Sequence, residues 1–210
     1  MKKILLFIMA ICMIAPVADA QNKQLEKKLK QEYKTKMKDY KKDGWKLFGS
    51  SHSLDVALLT HYDKLNNLGE DGRELVGIAS RFKSKNIGKQ MAVNNACLIY
   101  AQQAGSHVKG RVVSDMAGDG VDADAEFDHF YAAYERLVEK EIKGEMMESY
   151  SIIHDNGDGT FEMQVYFIIS ESAATKARIR AFENAAKESA AAQKYAEKVA
   201  DFVREGFEIE

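Results

Sequence analysis

Five carboxylates fall within twelve residues, in the segment Asp115-Met116-Ala117-Gly118-Asp119-Gly120-Val121-Asp122-Ala123-Asp124-Ala125-Glu126. Counted as a calcium loop, it places Asp at positions one and five, Gly at six and Glu at twelve. Hard oxygen ligands around a sharp glycine turn are what Ca²⁺ requires. Two residues break the pattern. Ala117 stands where a third ligand belongs, and Asp122 stands where an apolar residue anchors such a loop. The preceding residues also alternate as a strand, whereas an EF-hand needs a helix there. An acidic turn, with Asp122 or Asp124 capping the next helix and complementing its dipole, accounts for the same residues. No metal ligand is assigned. The second acidic turn, Asp155-Asn156-Gly157-Asp158-Gly159, contains Asn-Gly and Asp-Gly and is accounted for as a hairpin connection.

Nucleophiles and bases are scattered. Ser50, Ser51 and Ser53 surround His52, but residues this close in sequence seldom converge as a triad, and helix capping explains the serines. His52, His61, His107, His129 and His154 have no metal-ligand spacing. There is no Gly-x-Ser-x-Gly elbow, no phosphate-binding glycine loop and no His-Glu-x-x-His. Cys97 lies beside Ala96, Leu98 and Ile99, where a buried small hydrophobe is the default. The sequence therefore assigns no catalytic residue, no cofactor and no metal, and it reads as a protein that is not an enzyme.

The N-terminus reads as an address. Lys2 and Lys3 precede an apolar run over residues 4–15, and Ala18-Asp19-Ala20 supplies small residues where signal peptidase cleaves. The expectation is a signal peptide over residues 1–20, cleavage between Ala20 and Gln21, and a periplasmic or outer-membrane-associated product. Lipidation at Cys12 is the rival reading, but Ile11 stands where a lipoprotein signal needs a small residue. Beyond residue 20 the sequence has Cys97 as its single thiol and no proline, so no disulfide framework is available.

Charge divides the remainder unevenly. Residues 21–43 hold nine lysines and four acids, a balance of +5, while residues 44–210 carry −8. Leu25, Leu29, Tyr33, Met37 and Tyr40 recur at helical spacing among the lysines, so this arm reads as an amphipathic helix. It is either a solvated helix or a docking arm for an acidic envelope protein or an anionic membrane surface. Nucleic acid is not expected for an exported chain with an acidic body.

Residues 44–210 read as a single α+β domain, a mainly antiparallel sheet with a C-terminal hairpin covered by long helices. A short strand is expected over residues 44–49, followed by a helix capped by Ser51 or Ser53 in which Leu54, Leu58, Tyr62 and Leu65 repeat. Val76, Ile78 and Phe82 suggest a second strand. Ser84 can cap a helix running to Ala104 and ending at Gly105. Val108, Gly110, Val112, Ser114 and Met116 then alternate as a half-buried strand. A helix over residues 124–141 carries Phe127, Phe130, Tyr131, Tyr134, Leu137 and Val138 on one face. Two strands over residues 144–154 and 160–169 form the hairpin. Residues 171–205 read as one long Ala-rich helix, striped by Ala174, Ala177, Ala181, Ala185, Ala192, Ala196 and Val203.

The small-residue helix Gly88-Lys89-Gln90-Met91-Ala92-Val93-Asn94-Asn95-Ala96-Cys97, residues 107–113, the hairpin and the Ala-rich helix together resemble the bacterial lipoprotein-20-like domain. That group is related to the N-terminal domain of the flagellar assembly T protein, and the chain also resembles uncharacterised exported proteins of Bacteroidota. The resemblance covers residues 44–205 and rests on Ala/Gly spacing. The chain departs from the lipidated members because no lipobox precedes a mature N-terminal cysteine. The resemblance implies a cell-envelope interaction or assembly module and brings no catalytic residues with it. A periplasmic small-ligand or calcium-binding protein is the second functional reading. A hydrolase, which would need a deep polar pocket, is the third.

Overall fold

The computed structural model describes residues 15–116 and 123–206. Two compact units are distinguished, Met1–Gly44 and Trp45–Glu210. The first contains helix α1, Ala15–Lys42, whose last turn carries Lys41 and Lys42, where positive charge complements the helix dipole. Lys27, Lys28, Lys30, Lys34 and Lys38 are exposed along it. The expected cleavage point, Ala20–Gln21, lies within α1, while Cys12 and the start of the leader lie outside the described residues.

The second unit is α+β, built on one four-stranded antiparallel sheet with the order β1-β3-β4-β2. Its elements run β1 Lys46–Phe48, α2 Leu54–Leu68, β2 Gly72–Phe82, α3 Lys85–Met116, α4 Ala123–Ile142, β3 Met147–Asp155 and β4 Phe161–Ser170. Three short helices follow, α5 Glu171–Ala185, α6 Ala190–Lys194 and α7 Ala196–Glu205. Alternation along the strands gives the sheet two packed faces. Leu75, Ala79, Met163, Val165, Phe167 and Ile169 join the main core with α3, α4 and α5. On the opposite face Tyr150, Tyr166 and Ile168 are buried along with Leu58 and His61 of α2. The hairpin between β3 and β4 is as read from the sequence. Asp155 Oδ1 accepts from Gly157 N at 2.9 Å, Asp158 Oδ1 accepts from Thr160 N at 3.0 Å, and Gly157 and Gly159 take positive φ.

Residues 108–116 are helical, not a strand. They complete the 32-residue α3, which passes straight through Gly105. Val108, Gly110 and Val112 alternate, but Val108 and Val112 are also four apart. With Ala101, Ala104 and Gly105 they form one buried helical face. Gly105 is a contact glycine, not a stop: a Cβ there would lie 3.2 Å from Glu135 Oε2 on α4. The two periodicities overlap over so short a stretch, and packing against α4 decides between them.

The Ala-rich segment is also broken, where one helix is expected. After Ala185 comes a single 3₁₀ turn, Ala186–Glu188; Ser189 then caps α6, its Oγ accepting from Ala192 N at 3.2 Å. A straight helix rises ~1.5 Å per residue and would carry the segment's large C-terminal side chains away from the core. Alanine contributes little apolar area, whereas burying a Val or Phe side chain is worth about 1.5–3 kcal/mol. The break turns α7 back against α5 and α3, and Val199, Phe202 and Val203 are buried. Ser189 meets one of the backbone donors that the break frees.

The tightest approach in the unit is between α3 and β2. A Cβ on Gly77 would fall 1.9 Å from the Ala92 carbonyl oxygen, so the helix sits directly on the strand. Asn95 Oδ1, one turn further, accepts from Ile78 N at 2.9 Å and ties the same strand to the same helix. Gly77→Ala is expected to lower stability by about 3 kcal/mol or more in urea unfolding, since overpacking here must move backbone. Gly110, in contrast, has open space around its Cβ position. Gly110→Ala should raise stability by about 0.5–1 kcal/mol, the helix-interior difference between the residues. A destabilising Gly110→Ala would contradict the helical assignment of residues 108–116.

Candidate ligand groove at the end of the first strand

Strand β1 pairs with β3 over three positions only, Lys46↔Ile153, Leu47↔Ile152 and Phe48↔Ser151. Gly49 then takes φ +74, which favours glycine, and the chain leaves the sheet edge. Ser50 Oγ accepts from His52 N at 3.2 Å in the turn, and Ser53 Oγ caps α2 by accepting from Val56 N at 3.3 Å. Sequence capping therefore holds for Ser53. Where β1 stops, β3 itself becomes irregular. Glu148 pairs with Phe167 and Tyr150 with Tyr166, so Ser149 is an extra residue in a β-bulge.

Between the turn, α2 and this bulge lies a groove of about 380 Å³. Phe48, Val56 and Ala57 give it apolar walls, and His52, Thr60, Lys64, Glu148, Ser149 and Ser151 give it polar ones. Glu148 Oε1 is fixed by Ser151 Oγ at 2.7 Å and by Lys89 Nζ at 2.9 Å. The Ser149 hydroxyl is buried and makes no hydrogen bond among the described residues. A buried hydroxyl left unpaired costs about 1–3 kcal/mol, so such groups call for an explanation.

The floor is rigid. Tyr150, which lines the groove, stacks on Tyr166 with centroids 4.3 Å apart and planes 5° from parallel. His61 meets both rings edge-on, at 5.2 and 6.1 Å. Its Nε2 pairs with Glu74 Oε2, while its buried Nδ1 has no hydrogen-bond partner among the described residues. The buried His61 ring thus packs against the aromatic stack, while the Glu74 carboxylate that it meets stays partly exposed and is not among the residues lining the groove.

Of the residues weighed in the sequence, only Ser50 and His52 reach this groove. His107 lies 3.9 Å from Glu205, with burial holding its pKa below the ordinary value against the pull of that carboxylate. His129 is exposed, and His154 packs on Trp45 at 5.4 Å. The acidic segment 115–126 cannot be placed: residues 117–122 and the side chains beyond Asp115 lie outside the described residues. What precedes it is the helix α3 and not the strand expected, so that argument against a calcium loop falls away. No group of three or more His, Cys, Asp or Glu side chains suited to a metal ion occurs among the described residues. Lys64, Glu148, Ser149 and Ser151 were not singled out in the sequence, because only the pairing of β3 shows that Ser149 is the bulged residue.

A buried charged cluster lies elsewhere, in the core. Arg178 is 1% exposed and donates to Val203 O at 3.1 Å, Tyr100 Oη at 2.6 Å, Glu171 Oε1 at 2.6 Å and Thr175 Oγ1 at 2.7 Å. Burial opposes charge on Arg178, but Tyr100 and Glu171 outweigh it and hold its pKa above the ordinary value. Burial pushes Tyr100 up to about 12, with Arg178 opposing, and pushes Tyr134 up as well. These four hydrogen bonds occupy all three nitrogens of the guanidinium with protein groups, which makes the cluster a tie between helices.

Comparison with family models, with curated proteins and with solved structures returns no match. No helix among the described residues is long and apolar enough to cross a membrane.

Cys97 is buried in the face of α3 that meets the core, and burial raises its pKa to about 11. The thiolate is the reacting species, so at neutral pH this thiol should be inert in the folded protein. Peptide mapping after brief treatment with a maleimide should find Cys97 unlabelled in native protein and fully labelled in denaturant. Rapid native labelling would contradict its burial.

Proposed function

We propose that the protein is an exported module of the cell envelope that acts by binding, not by catalysis, and that the lysine-rich arm is its docking segment. The observation that carries this reading is the charge on α1. Lys27, Lys28, Lys30, Lys34 and Lys38 are exposed on a helix whose segment carries +5, while residues 44–210 carry −8. A basic amphipathic helix suits an acidic protein face or an anionic lipid surface, because clustered lysines add their attraction and their stems cover apolar surface. The leader-like N-terminus and the resemblance to lipoprotein-20-like domains both support an envelope setting. The groove beside β3 favours a second reading, ligand binding, on independent residues.

The test is envelope association of the full chain against a form lacking residues 21–43. The shortened chain should melt cooperatively with a small change in Tm, because the main core cluster lies in the other unit and only Met37 and Tyr40 of the arm's described residues are buried. It should also lose association with isolated envelopes. Reversing charge at Lys27, Lys28, Lys34 and Lys38 should do the same without deletion. Raising ionic strength from about 0.1 M to about 1 M shortens the screening length from ~10 Å to ~3 Å and should release the intact protein. Salt-insensitive association that survives deletion would overturn the docking role of the arm. Binding to protease-treated envelopes separates a lipid surface from a protein partner.

A further inference from the structure

We propose that the groove between α2 and the bulged end of β3 binds a small zwitterion, a free α-amino acid with an apolar side chain. Three features of the groove fit that chemistry together. The first is charge. Lys64 on α2 and Glu148 on β3 line the same groove without pairing to each other, and Lys64 has no ion-pair partner among the described residues. Glu148 uses Oε1 for Ser151 and Lys89, which leaves Oε2 to receive an ammonium group. Lys64 supplies the complementary positive charge for a carboxylate, beside the His52 ring.

The second feature is the unpaired hydroxyl. Ser149 Oγ, at the bulged position, is buried and makes no hydrogen bond among the described residues. A carboxylate oxygen in the groove would accept its proton and remove the desolvation cost of leaving it unmade. The third is the apolar wall of Phe48, Val56 and Ala57, against which an aliphatic side chain can pack. Polar groups that converge on a preformed concave surface are what fix a small molecule's orientation in its site. The Tyr150–Tyr166 stack and the Ser151–Glu148 hydrogen bond hold that surface before any ligand arrives, so little ordering remains to oppose binding.

Calorimetric titration of the full chain with L-leucine tests this, alongside 3-methylbutylamine and 4-methylpentanoate, which each keep one of leucine's two charges. Leucine should bind saturably, and each single-charge analogue should bind at least about tenfold more weakly, equivalent to ~1.4 kcal/mol. Lys64→Gln and Glu148→Gln should each weaken leucine about tenfold while melting as the parent does. Ser149→Ala should leave the Tm without ligand unchanged or raised, since it removes an unpaired hydroxyl, yet reduce leucine affinity. Absence of saturable leucine binding would overturn the proposal. So would analogues that bind as tightly as leucine, which require no variant to fold. The groove shares no residue with α1, so its failure leaves the envelope reading standing, and the reverse is equally true.

Discussion

One buried guanidinium organises the helical layer. Arg178 projects from α5 and reaches Tyr100 on α3, the Val203 carbonyl on α7, and Glu171 and Thr175 on its own helix. A charge taken from water is tolerable only when its donors are met, and here one of the two nearest partners is itself a carboxylate. The same residues fix the end of the described chain: a Cβ at Gly206 would stand 2.8 Å from Glu171 Oε1. The return of α7, and with it the burial of Phe202 and Val203, depends on that tie. Arg73 on β2 comes within 4.0 Å of Glu171 Oε2, so the cluster also touches the edge of the sheet.

Much of the fold was legible because its signals were local. The β3–β4 hairpin announced itself through Asn156-Gly157 and Asp158-Gly159, and the aromatic face of α4 through a clean helical period. Phe127, Phe130, Tyr131, Tyr134 and Val138 are all buried, as that period requires. Covering of β4 on both faces was readable from Tyr166 and Ile168 among the alternating Met163, Val165 and Phe167. Two elements were misread for one reason. Small residues carry little directional hydrophobic information, so Gly105 passed for a stop and the alanines for one continuous stripe. Tertiary partners, Glu135 in one case and Arg178 in the other, decided both.

The candidate groove was not legible in the sequence. Its residues come from the β1 turn, one side of α2 and a bulge in β3, and no spacing in the chain relates them. Lys64 reads as a solvated helix charge and Ser149 as one more polar strand residue until the register is known. The same logic separates the two proposed surfaces. The arm's character lies in composition, which sequence displays openly, whereas the groove's lies in convergence, which only folding produces. Binding chemistry on a rigid sheet edge and docking chemistry on a charged helix can coexist because they draw on different residues.

The claim that Arg178 ties the helices together is tested most directly by a double-mutant cycle between Arg178→Met and Tyr100→Phe, read by urea unfolding. Hydrogen bonds to a charged group are worth about 1.5–3 kcal/mol, and residues joined by one should couple by a comparable amount. The account predicts a coupling energy of about 1.5–3 kcal/mol, with Arg178→Met alone costing about 3–5 kcal/mol because Glu171 is left without its buried partner. Additive effects within ~0.5 kcal/mol would contradict it, and would mean that apolar packing alone holds α7 against α3 and α5.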